Sequence, residues 1–132
     1  MFGIKWMLDI LHKYKPIKIT LKLADKSTVE RLNRDFLLKD LFGELGSKRN
    51  TIPLVYVIVL WKNVSHKINN FTFDQEGNLF GTITVLHSPN GLILKDLIKR
   101  HIKLKPVIRG FIDPKTEEMH VITWDIDINT EK

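Results

Sequence analysis

Ile17, Ile19, Leu21 and Leu23 alternate with Lys18, Thr20 and Lys22. A period of two sends successive side chains to opposite faces, so this stretch predicts a strand with one buried face and one basic, solvated face. Upstream, Trp6, Ile10 and Tyr14, with Met7 and Leu11, recur at helical spacing. They predict an amphipathic helix over about 4–14, ended by Pro16. Downstream, Ser27 is followed three residues later by Glu30, the pattern of a capping box. It predicts a helix running to about Phe42, with Val29, Leu32, Phe36 and Leu41 on its buried stripe.

Beyond Gly43 and Gly46 the pattern turns to strands. Ile52–Trp61 is apolar and β-branched, which suits a central strand or another buried segment. Val64–Phe73 and Leu79–Leu86 predict a hairpin around Asp74–Asn78, where Gly77 can supply a positive φ. Pro89, Asn90 and Gly91 lead into a helix over about Leu92–His101. Lys103–Ile112 and Met119–Ile128 then predict a second antiparallel pair across the Asp113–Thr116 turn. The expected fold class is α+β: a small antiparallel sheet, curled into a barrel-like form and flanked by helices.

The length of 132 residues suits a single domain spanning 1–132 with one core. The absence of cysteine excludes a disulfide scaffold, thiolate zinc sites and a cysteine nucleophile. No apolar run approaches the ~18 residues that span a bilayer, and the N-terminal stretch lacks the apolar core of a signal peptide. No membrane association is expected, and the inside of a cell or virion fits the chain. The net charge of +6 is uneven: residues 1–66 carry 12 Lys and Arg against 6 acids, residues 67–132 carry 9 against 9. This excess reads either as attraction to a polyanion such as nucleic acid or as a solvated basic face.

Few residues suggest chemistry by type and spacing alone. His12, His101 and His120 are scattered, so neither a metal nor a cofactor is expected. Asp125 and Asp127 alternate with Trp124, Ile126 and Ile128, a pattern that suits a solvated strand face more than a pair of carboxylates for acid–base work. Trp6, Trp61 and Trp124 are expected in the core, with Trp6 equally suited to an interface. Lys95, Lys99 and Arg100 form the densest basic cluster, opposite Leu94, Leu97 and Ile98 on the same helix. That helix is expected at the surface, as a candidate phosphate- or protein-docking element.

Four segments in order resemble the prohead proteases of tailed bacteriophages. Gly43-Glu44-Leu45-Gly46 is similar to the family's Gly-Glu-Leu-Gly-His-Pro segment, and Val64-Ser65-His66-Lys67-Ile68 to the strand bearing its catalytic histidine. Leu79-Phe80-Gly81-Thr82-Ile83, followed by Leu86-His87-Ser88-Pro89-Asn90-Gly91, is similar to a family stretch of Leu-Tyr-Gly-Lys-Ile and Leu-Asp-Thr-Pro-Asn-Gly. Leu104-Lys105-Pro106-Val107-Ile108-Arg109-Gly110 lies against its Gly-Ile-Ser-Ser-Arg-Gly nucleophile strand. The resemblance covers about 40–128 and implies a protease-like core there.

The departures fall on the chemistry. Acyl transfer needs a hydroxyl nucleophile, a histidine to take its proton and donors for the oxyanion. His66 aligns with the general base, but Val107 and Ile108 stand at the serine positions, Ser47 replaces a histidine, and His87 an aspartate. The remaining degenerate site is His66, Val107, Ile108, Arg109 and Gly110, with no catalytic residue expected. Ser65 adjoins His66 along a strand and is expected to point to the opposite face. Arg109 can bind a carbonyl or carboxylate of a partner, or pair with a C-terminal aspartate. The resemblance implies an inactive phage protein that acts in virion assembly. It would bind a capsid, portal, neck or tail component through the degenerate cleft or through Trp6, Ile10 and Tyr14, and homo-oligomerisation in a virion is compatible with this. The alternatives are a divergent active prohead serine peptidase using Ser47 or Ser88, and a basic nucleic-acid-binding phage protein.

Overall fold

The computed structural model describes residues 16–46 and 58–130. The N-terminal helix expected over 4–14, with Trp6, Ile10 and Tyr14, lies outside the described residues, as do Ser47 and most of Ile52–Trp61. The chain forms β1 (Lys18–Ala24), a single helical turn α1 (Lys26–Val29), β2 (Leu32–Asn33), β3 (Leu41–Glu44), β4 (Val64–Phe73), β5 (Leu79–Val85), α2 (Pro89–Lys99), β6 (Leu104–Ile112) and β7 (Met119–Ile128). Short 3-10 turns at Arg34–Leu38 and Trp61–Asn63 precede β3 and β4.

Among the described residues the strands fall into two sheets and do not close into a barrel. One has the order β1-β5-β4-β3, all antiparallel; the other has the order β2-β7-β6, in which only β2–β7 is parallel. A bridge between Leu45 and Ile126 and a 2.8 Å hydrogen bond from Gly46 N–H to the Ile126 carbonyl join the end of β3 to β7. The α+β class and both hairpins follow the sequence pattern.

The expected Ser27–Phe42 helix is replaced by α1, β2, a 3-10 turn and β3. Its four apolar positions are nonetheless all buried. Local side-chain capping breaks the helix: Asp25, not Ser27, caps α1 by accepting from Thr28 N–H at 3.0 Å, and Asn33 accepts from Asp35 N–H at 3.0 Å to start the 3-10 turn. Such short side chains offer the backbone an alternative to a continuous helix. Between the caps, Leu32 and Asn33 pair with Met119 and His120 of β7.

The core gathers around Trp124, which is fully buried. Its indole N–H donates to the Leu23 carbonyl at 3.1 Å, and its ring packs edge-on to Phe36 with centroids 5.3 Å apart. Phe71 meets the same Phe36 ring at 5.1 Å. Trp61, expected inside, is 69% exposed and leans on Phe42 at 5.0 Å. It sits in the 3-10 turn before β4, outside the layer between the two sheets where Trp124 lies.

Gly43 lies opposite His66 in the β3–β4 register, and a Cβ there would collide with His66 Nε2 and the Trp124 carbonyl. Gly43→Ala is therefore expected to lower stability by about 1–3 kcal/mol, the usual cost of overpacking. Urea unfolding measures this, and an unchanged midpoint would mean that the approach of β3 to β7 is not tight.

Candidate functional site

His66 is fully buried on β4, and both of its ring nitrogens have partners. Nε2 lies 2.8 Å from the Trp124 carbonyl and Nδ1 lies 2.6 Å from Ser65 Oγ. A carbonyl only accepts, so Nε2 carries the proton, and the Ser65 hydroxyl donates to Nδ1. Ser65 was expected on the opposite face. The register shift that pairs Gly43 with His66 but Glu44 with Val64 leaves Ser65 as the extra residue of a bulge, and a bulge re-aims its side chain. Ser65 Oγ also lies 3.5 Å from the Gly43 carbonyl, at the limit of a hydrogen bond.

Burial, the dominant effect, pushes the His66 imidazole down to about 4, and the nearby Arg109 charge adds to the drop. The hydrogen bond to the Trp124 carbonyl opposes it. At neutral pH this is a neutral imidazole with a hydroxyl on one side and a backbone carbonyl on the other. The same two groups serve nucleophilic catalysis elsewhere. Here both side chains are sealed from solvent, and the far nitrogen meets a carbonyl where an orienting carboxylate would be needed.

Arg109 is the second centre. Its Nε and Nη2 donate to Asp125 Oδ2 and Oδ1 at 2.9 and 2.8 Å, a bidentate pair. Its Nη1 donates to Glu44 Oε2 at 2.9 Å and to the Ile58 carbonyl at 2.6 Å. Glu44 Oε2 also accepts from Leu60 N–H at 3.1 Å, while the Glu44 N–H donates to Asp125 Oδ1 at 3.0 Å. All three side chains are buried. Burial opposes the guanidinium charge, but hydrogen bonds and attraction from Asp125 and Glu44 overcome it and hold Arg109 protonated. Burial raises the Asp125 carboxyl, against the pull of Arg109 and the Glu44 amide.

The reading of Asp125 as part of a solvated face is thus corrected. Trp124 and Asp125 are both buried, because this part of β7 is covered on both faces. Asp125 pairs with Val107, two residues from Arg109, which puts both charged side chains on one face. Arg109 does bind carboxylates and a carbonyl, but they belong to its own chain. Ile108 pairs with Trp124, whose carbonyl His66 reaches, so His66 and the Val107–Ile108 segment occupy neighbouring parts of the structure. Gly110 lies at a bulge where a Cβ would strike the His120 carbonyl.

Other candidates stand apart. Ser88 caps α2, accepting from Gly91 N–H at 3.0 Å and donating to the Val64 carbonyl at 2.6 Å. His87 is exposed beside it and borders a groove of about 290 Å³ with Ile17, Thr84, Leu92 and Lys95. Lys99 and Arg100 are exposed and Lys95 half-buried on α2, and Arg100 is tied to Asp96 at 3.1 Å. Among the described residues no group of three or more potential ligands could hold a metal ion. No described helix is long and apolar enough to cross a membrane. Sequence reasoning missed Glu44, because the expected helix ran to Phe42 and the strand that carries this carboxylate inward appears only in the structure.

Comparison with family models, curated proteins and solved structures returns no match.

Because His66 is neutral in the fold and ordinary when unfolded, the unfolded chain binds an extra proton as pH falls below about 6.5. Stability is expected to fall between about pH 6.5 and 4, with this residue contributing a loss of up to ~3 kcal/mol. Urea unfolding across this range, with an NMR titration of the His66 ring, tests it; a ring titrating near 6.5 in the folded protein would refute a sealed imidazole.

Proposed function

We propose that the chain is a catalytically inactive, prohead-protease-like phage structural protein. It acts in virion assembly by binding a capsid, portal, neck or tail component, in the virion or in the host cytoplasm during assembly. One observation carries the inactive part of this reading: the reactive positions are committed to internal structure. Val107 and Ile108 offer no hydroxyl, both nitrogens of the sealed His66 have intramolecular partners, and Arg109 is held by Asp125 and Glu44. The family argument rests on the four sequence segments. What such a framework offers a partner is its surface, where Trp61, Leu92, Ile93 and Phe111 are among the large apolar side chains left exposed.

The reading of a divergent peptidase has one observation in its favour, the 2.6 Å contact between Ser65 Oγ and His66 Nδ1. Burial of both groups weighs against it, since a substrate carbonyl needs access to the hydroxyl.

A serine-directed fluorophosphonate decides between the two. No labelling is expected, and labelling that disappears in His66→Ala would establish an active serine. Val107→Ser places a hydroxyl at a buried site and is expected to lower stability by about 1–3 kcal/mol without producing peptide cleavage. Turnover by this single variant on capsid or scaffold proteins would contradict the proposal.

A further inference from the structure

The outward face of the four-stranded sheet carries a cationic row that ends in aromatic rings. Phe42 pairs with Lys67, Lys67 with Thr84, and Thr84 with Lys18, so these four side chains stand beside one another across β3, β4, β5 and β1. On the same face Thr20, Thr82 and Asn69 form the next row. Beyond them Phe80 stands beside Lys22. Lys18, Thr20 and Lys22 are exposed, Lys67, Phe42, Phe80, Thr82 and Asn69 are half-exposed, and Thr84 between the two lysines of the first row is buried. Trp61 extends the first row at its β3 end, packed on Phe42 and 69% exposed, with the exposed Lys62 next to it.

These rows contain three lysines and no carboxylate. Of the flanking acids, Asp40 accepts from Asn69 Nδ2 at 3.1 Å, and Asp25 caps α1 while lying within electrostatic reach of Lys22. The face also draws on the half of the chain that holds the charge excess, since β1, β3 and the start of β4 come from residues 1–66.

We propose that this face binds single-stranded nucleic acid, with phosphates along Lys18, Lys22 and Lys67 and a base stacked on Trp61. Charge complementarity selects a polyanion. The exposed ring backed by Phe42, together with the accessible Thr20, Thr82 and Asn69 in the row beside the lysines, suits a strand that presents bases as well as phosphates. Successive strands are about 4.8 Å apart, so the lysines of the first row are separated by about 10 Å, a spacing that a flexible single strand can follow. The inference stands on this surface alone and does not require the phage reading or the inactive site.

Fluorescence anisotropy of the full chain with a labelled oligothymidylate tests it. Binding is expected at low salt, with a slope of log K against log[salt] of about −2, the value for three phosphate contacts to a single strand. Lys18→Gln and Lys67→Gln should each make the slope shallower by about 0.7. Trp61→Ala should weaken binding roughly tenfold at constant slope. The paired substitution Lys99→Gln with Arg100→Gln on α2 should leave both quantities unchanged. Thermal melting confirms that each variant folds, and Lys18→Gln, at an exposed position, keeps the test open if Lys67→Gln does not. Absence of binding at low salt would overturn the proposal, as would an equal loss from the α2 variant. Displacement by poly-glutamate as effective as that by unlabelled oligothymidylate would also overturn it and assign the face to acidic polypeptides.

Discussion

The Arg109 guanidinium is the constraint on which the arrangement of the two sheets depends. Four of its five N–H groups are accounted for by Asp125, Glu44 and the Ile58 carbonyl. A buried charge is tolerated only when it is paired and its donors are satisfied, and removing one partner leaves the others stranded at a cost of several kcal/mol. Through this one side chain, β6 is tied to β7, to the end of β3 in the other sheet, and to the chain entering the Trp61 turn. The Leu45–Ile126 bridge and the contact of His66 with Trp124 follow the same seam. Glycine at position 43 is what lets the strands come this close.

The same seam brings a histidine, a serine and an arginine close together and commits all three to internal partners. Catalysis requires groups that remain available for substrate, whereas here each polar atom of His66 and most of those on Arg109 already have internal partners. The positive charge of Arg109 further disfavours protonation of His66, so the two centres are electrostatically coupled. Surface chemistry is arranged differently. The cations of the outward sheet face sit on side chains that solvent reaches, next to an aromatic ring that the core does not use. Interior and exterior of one sheet thus support separate readings, one structural and one for binding.

Much of the fold was legible because periodicity survives wherever one face is wet. β1 alternates cleanly, and the β4–β5 and β6–β7 hairpins fall close to their expected bounds. Legibility failed where local capping competed with periodicity, as at Asp25 and Asn33, and where a strand is buried on both faces, as at Trp124 and Asp125. It failed again at Ser65, because a bulge depends on the partner strand and leaves no mark on its own sequence. Pairing of Arg109 with a C-terminal aspartate was one of two readings open from the sequence. The role of Glu44 needed the register of β3 against β7.

The most direct test of a structural role for this network is the stability of Arg109→Met, compared by urea unfolding with a variant that also carries Asp125→Leu and Glu44→Gln. The account predicts a loss of about 3–5 kcal/mol for the single variant, because two buried carboxylates lose their cation, and recovery of a large part of it in the triple variant. A single variant within about 0.5 kcal/mol of the parent, the range of an ordinary surface change, would show that the sheets do not depend on this ion cluster.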